Sequence, residues 1–310
     1  MKKKLAFMLA VTMTVSAVLT GCGNASGDAE PVAADAAEET EAQEDAADPA
    51  ADETGSAEEP EADDVAEADG AEAADDGNMI YAVEAGSAGE AAAQENGFQT
   101  NVVASQADAL MEVAAGMSDA AIIDLLMAGA MIGEGTSYPD MTYTTELTTE
   151  EYGVGCRKGS DLASFINSVF GESYADGTME EIATTYGVQE ALVEQAASEF
   201  TEAEEDSDVA YIKEKGSMIV GITEFEPMDY KDESGEWIGF DADMARLVAE
   251  KLGVEAQFVV IDWDNKIMEL DSKNIDVVWN GMTLTPETTS AMECTNAYCN
   301  NAQVIVVPAE

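Results

Sequence analysis

Two carboxylates close short apolar runs: Glu84 in "MIYAVEA" (79–85) and Asp124 in "AAIID" (120–124). Brought together, such acids could pass a proton to and from a reacting group. Buried without a partner, a carboxylate is costly, so holding a cationic ligand is the other natural use. Other chemistries are narrowed by composition. The chain has no histidine, which removes Ser-His-Asp and Cys-His catalysis and most transition-metal sites. Beyond Cys22 stand Cys156, Cys294 and Cys299, an odd number without a CxxC pair. A Cys294–Cys299 bridge and free thiols both remain open. Phe225 and Trp263 offer flat faces that could sandwich a side chain or hold a cation.

These residues need a frame, and the chain supplies three materials for it. Lys2–Lys4 followed by the apolar run Leu5–Leu19 read as the start of a secretory signal, too short for a comfortable span. Residues 22–77 are built mostly from Ala, Asp, Glu and Gly with no basic residue; such a segment is expected to stay a disordered acidic tether. From Asn78 onward short apolar runs alternate with helical patterns, as in "NVVAS" (101–105), "TYTTEL" (142–147), "YGVGCR" (152–157), "MIVGIT" (218–223), "QFVVI" (257–261) and "DVVWNG" (276–281). Ser160 is expected to cap a helix carrying Leu162, Phe165, Ile166, Val169 and Phe170. Thr178 with Glu181 predicts a capping box on the next, which Gly187 ends. The alternation argues an α/β fold of two modest lobes. A formal charge of −53 argues against nucleic acid or an anionic membrane surface as partner.

Three groups of motifs carry a resemblance. "LTGC" (19–22) resembles the lipobox of bacterial lipoproteins, implying cleavage after residue 21 and acylation of Cys22. "GITEFEPMDYKDESGEWIGFDADMARLVAEKLG" (221–253), "DWDNKIMELDSKNIDVVWNGMTLTPE" (262–287) and "NAYCNNAQVIVV" (296–307) resemble lobe 1 of the family 3 solute-binding proteins, the extracytoplasmic receptors of polar amino acid ABC importers. "AVEAGSAGEAAAQE" (82–95), "ALMEVAAGMSDAAIID" (109–124) and "EEYGVGCRKGSDLASFINSVFGESYADGTMEEIATTYG" (150–187) resemble lobe 2 and the returning C-terminal segment. The order is inverted relative to the family. A circular permutation is the simplest account, a truncated tandem or misassembled gene its rival. The resemblance implies a two-lobed type II periplasmic-binding-protein-like fold with lobe order permuted. Its parts are lobe 2 over 78–150, a returning segment of lobe 1 over 151–200, a joint over 201–208 and the first part of lobe 1 over 209–310. Only one interlobe crossing, near 147–154, is then expected to stay covalent, giving a looser hinge.

The resemblance also implies a ligand site in the interlobe cleft. Phe225 and Trp263 match the family's stacking aromatics. "NGMTLT" (280–285) matches a ligand-holding loop, with Gly281 allowing close backbone approach and Thr283 a hydroxyl. Ser87 and Ala88 match an anion-holding turn at a helix start, and Asp124 the acid that pairs with an α-ammonium. Thr288 stands where the family motif carries a carboxylate-gripping arginine, and Glu84 where relatives can carry lysine. The cleft is therefore expected to be acidic and poor in carboxylate clamps. The implied function is a lipid-anchored receptor on the outer face of the cell membrane. It would bind an amino acid or related small polar solute, possibly cationic, and partner ABC permease subunits; no nucleic acid, metal or cofactor is expected. The chain is not expected to be an enzyme; a sensory or inactive binding module, or a cyclohexadienyl-dehydratase-like enzyme, is the alternative.

Overall fold

The computed structural model describes residues 77–309; the expected signal peptide, Cys22 and tether through residue 76 lie outside the described residues. The chain runs through β1 (Ile80–Glu84), α1 (Ala88–Asn96), β2 (Gln99–Val103), α2 (Gln106–Ala114), β3 (Ala120–Asp124), α3 (Leu125–Met131) and β4 (Met141–Glu146). Next come β5 (Glu150–Cys156), α4 (Leu162–Asp176), α5 (Thr178–Tyr186) and, after irregular backbone, α6 (Asp208–Lys215). The remainder is β6 (Ser217–Ile222), β7 (Tyr230–Lys231), β8 (Trp237–Ile238), α7 (Phe240–Leu252), β9 (Glu255–Val260), α8 (Lys266–Asp271) and β10 (Val277–Thr283). It closes with α9 (Pro286–Ala291), β11 (Glu293–Cys294), β12 (Cys299–Asn301) and β13 (Gln303–Pro308). No helix among the described residues is long and apolar enough to cross a membrane.

Two main sheets result, one per lobe. The first has the order β2-β1-β3-β13-β4, the second β11-β5-β10-β6-β9, with β12 also on β5. Strand β3 lies inside the first sheet and all five of its residues are buried. This explains its continuous apolar run, since parallel strands are covered on both faces. In the second lobe Phe240, Met244, Val248 and Leu252 form the buried stripe of α7. There Tyr298 lies within about 6 Å of the Phe170 and Phe240 rings, centroid to centroid. Each fully buried aromatic of this kind contributes roughly 1.5–3 kcal/mol of transfer free energy.

Several sequence expectations change here. Strand β13 pairs antiparallel with β3 and β4, so the lobe expected over 209–310 gives up its last strand to the other sheet. The chain consequently crosses between lobes twice, over residues 147–149 and at Ala302, and both crossings are covalent. They lie side by side: Leu147 N–H donates to Gln303 O at 2.7 Å and Gln303 N–H to Thr148 Oγ1 at 2.9 Å. The single crossing, and the looser hinge inferred from it, are overturned. An apolar run such as "QVIVV" does not reveal its sheet, because partners distant in sequence decide it. Gly177, not Thr178, takes the N-cap of α5, and Thr178 makes no capping bond. Asp161 takes the N-cap position of α4, while Ser160 Oγ accepts from Leu162 N–H at 3.2 Å. Cys156, Cys294 and Cys299 are free thiols.

The stretch expected as a slack joint is tied down. Asp161 accepts bonds from Ala203 N–H, Ser207 Oγ–H and Val209 N–H, at 3.1, 2.6 and 3.1 Å. Arg157 forks onto Asp208 through Nε and Nη2 and reaches Ile275 O through Nη1. Asp276 takes Arg157 Nη2 at 3.4 Å and Lys215 Nζ at 2.5 Å. This buried charge cluster pins the start of α6 to the ends of β5 and β10.

Candidate functional site

A cleft of about 570 Å³ lies between the lobes, at the carboxyl ends of β1, β3 and β10. Crevices outside those ends are where open α/β sheets bind ligands. Glu84, Ser87, Ala88, Asp124, Phe225, Trp263, Gly281, Thr283 and Thr288 all line it. The structure thus gathers every expected residue, but it engages several of them in bonds with their neighbours.

Asp124 is the clearest case. Only 3% exposed, it accepts bonds from Tyr152 Oη–H at 2.7 Å and Gln303 Nε2–H at 2.9 Å, and from the Gln106 and Asn301 side-chain amides. Burial, then the Glu150 charge, pushes its carboxyl up to about 7, although the donors pull the other way. Asn301 and Gln303 also donate to Glu150 Oε2, and Thr283 Oγ1–H reaches the same oxygen at 3.0 Å. Asp124 and Thr283 therefore belong to one network, carried on the two crossings and reaching the walls of both lobes.

Gly281 departs from its expected role. Its φ of +55° is in the left-handed region, and an added Cβ would collide with the Phe225 ring. The close approach it permits is that of Phe225, while its N–H donates to Asp241 Oδ2 at 2.7 Å. Phe225 packs edge-on to Tyr152. Thr288 completes a capping box with Thr285 at the start of α9, so its hydroxyl serves local structure. Ser87 caps α1 by accepting from Glu90 N–H, and Glu90 Oε2 accepts from Gly86 N–H at 2.7 Å. A carboxylate of the chain itself thus occupies part of the expected anion turn.

Glu84 differs from all of these. It is 2% exposed, and its Oε1 has no hydrogen-bond partner among the described residues. Burial first, and Asp124 second, drives its carboxyl up to about 8. Across the cleft stands Lys266, a residue the sequence reading missed. Its ammonium donates to Gly86 O at 2.9 Å and to Trp263 O at 3.2 Å. The signal was present, since residues three apart on a helical turn share a face and Lys266 is three beyond Trp263. Arg157 and Arg246 are engaged elsewhere, with Asp208 and Asp243. Among the described residues seven acids line the cleft (Glu84, Glu90, Glu95, Asp124, Glu150, Asp264 and Glu287) against Lys266 as the one basic residue lining it.

Residues 218–310 match the family model of bacterial extracellular solute-binding proteins, family 3. Over that stretch the chain is similar to that family. Its two-lobed form is the type II periplasmic-binding-protein-like fold. The L-cystine-binding protein TcyJ of Escherichia coli K12 is 34% identical over 88 residues, 28% of this chain and 33% of that protein. The arginine-binding extracellular protein ArtP of Bacillus subtilis is 33% identical over 93 residues, 30% of this chain and 36% of that protein. A solved ancestral cyclohexadienyl dehydratase is 34% identical over 28% of this chain and 37% of its own, with a TM-score of 0.27. The chain spans about a third of the length of these curated family 3 relatives.

Proposed function

We propose that the chain is the solute receptor of an ABC importer and that its cleft takes a cationic amino acid or a related small amine. The observation that carries this is Glu84: a buried carboxylate whose Oε1 has no hydrogen-bond partner among the described residues, in a wall where these contribute seven acids and one lysine. A ligand cation would supply the missing partner and hold Glu84 ionised. TcyJ and ArtP, both named as binding proteins, support the receptor reading. A permuted segment order fits two facts: the family model matches only 218–310, while strand β5 of the same sheet comes from upstream. Anchoring through Cys22 rests on the "LTGC" motif. Nine residues, Glu84, Ser87, Ala88, Asp124, Phe225, Trp263, Gly281, Thr283 and Thr288, form the proposed lining.

A thermal-shift screen of the full chain against arginine, lysine, small amines and glutamate tests this. Ligand at a hundred times its Kd stabilises by about 2.7 kcal/mol, roughly 5–10 °C for a domain of this size. Shifts with the cations are the expected result; a shift with glutamate alone would overturn the cation preference. A second reading, acid–base catalysis on the same fold, draws on Glu84 and Asp124 titrating near neutrality. Turnover of a prephenate-like cyclic acid would favour it.

A further inference from the structure

Lys266 is 8% exposed and sits in surroundings that suit a ligand's ammonium. Its Nζ lies 5.0 Å from the centroid of the Trp263 ring, a distance at which an aromatic face attracts a cation. Two carbonyls accept from it, Gly86 O on the far wall and Trp263 O on its own. Glu84, Asp264 and Glu287 are the charges that act on it, and Glu84 Oε1 has no hydrogen-bond partner among the described residues. An aromatic face, two carbonyls and a carboxylate together make an ammonium site. A ligand carboxylate brought to the same place would meet those three acids, which argues against Lys266 as a replacement for the missing arginine clamp.

We infer that Lys266 is a specificity-determining residue, a tethered cation that holds the ammonium subsite of the cleft and that a cationic solute must displace. This rests on the cation reading of the cleft given above. The Gly86–Lys266 bond joins the two walls, and Asp264 packs so close to Gly86 that a Cβ there would lie 2.8 Å from its Cα. The lobes are thus drawn together on the chain's own lysine. A competitor that is part of the same molecule acts at a high effective concentration, so it excludes weakly held amines and admits only those that outcompete it.

Calorimetric titration of the full chain with L-arginine, L-lysine and agmatine, a cation without a carboxylate, tests the inference on wild type, Lys266→Met, Lys266→Gln and Lys266→Arg. All three cations should bind at least tenfold tighter to the Met and Gln variants, with Lys266→Arg close to wild type. Should Lys266→Met fail to unfold cooperatively, Lys266→Gln, which keeps donors without charge, carries the comparison. Wild-type binding that is unchanged or weakened in the neutral variants overturns the inference and leaves the cation reading standing. Loss confined to arginine and lysine, with agmatine spared, also overturns it and makes Lys266 a carboxylate clamp. Absence of cation binding in every variant overturns both.

Discussion

Two buried groups of charges in this molecule are built on opposite plans. Around Arg157, guanidinium, ammonium, carboxylates and carbonyl are matched, with Asp208 and Asp276 each answered by a cation. Around Glu84, among the described residues, acids outnumber cations and one carboxylate oxygen has no hydrogen-bond partner. The first arrangement fixes a joint in the chain. The second leaves binding capacity that the proposed solute would use.

The largest test of this contrast is Arg157→Met. It strands Asp208 in the interior and leaves Asp276 to Lys215, and breaking a buried pair from one side typically costs about 3–5 kcal/mol. Urea unfolding should show that loss while solute affinity in the folded fraction stays within twofold. A comparable fall in affinity would break the division between joint and cleft.

Glu84→Gln should act in the opposite sense. In the folded empty chain this carboxyl titrates near 8 instead of its ordinary 4.5. The folded state therefore binds its proton more tightly than the unfolded one. Its contribution to stability is full below pH 4.5 and is lost as pH rises through about 8. The Gln variant should flatten that decline, so it should be the more stable chain at pH 8. Cation affinity in wild type should rise with pH toward 8 and become flat, and at least tenfold weaker at pH 8, in the variant. A pH-independent wild-type affinity would contradict the role given to Glu84.

The smallest expected effect is at the seam between the two plans. Thr283→Val removes a donor from Glu150, which keeps Gln303, Asn301 and Thr148 as partners. A loss of about 1 kcal/mol is expected, read as a small shift in urea midpoint. A loss several times larger would show the crossing network to be far more cooperative than its separate bonds.

Much of the fold was legible from short-range pattern. The runs ending in Glu84 and Asp124 became β1 and β3, and the stripe from Phe240 to Leu252 became α7, ended by Gly253 in the left-handed region. Elements whose stability comes from afar were not legible. Helix α6, "DVAYIKEK", follows directly on the joint expected over 201–208, and Arg157 and Asp161 hold its start. The resemblance named residues that the cleft does gather, yet it said nothing of what Gly281, Thr283 and Thr288 would bond to. Those partners are set by folding, as with Asp241 for Gly281. Lys266 was missed for a different reason: attention went to an absent arginine, not to a lysine one turn beyond Trp263.

The twin crossings at residues 147–149 and Ala302 also bear on how the lobes of the proposed receptor would move. Two covalent strands laced by the Leu147–Gln303 and Gln303–Thr148 bonds behave as a strip, which bends readily and resists torsion. Relative movement of the lobes is expected to be a rotation about the paired crossings. In the proposed receptor such a hinge would sort a solute by whether it fits the cleft once closed.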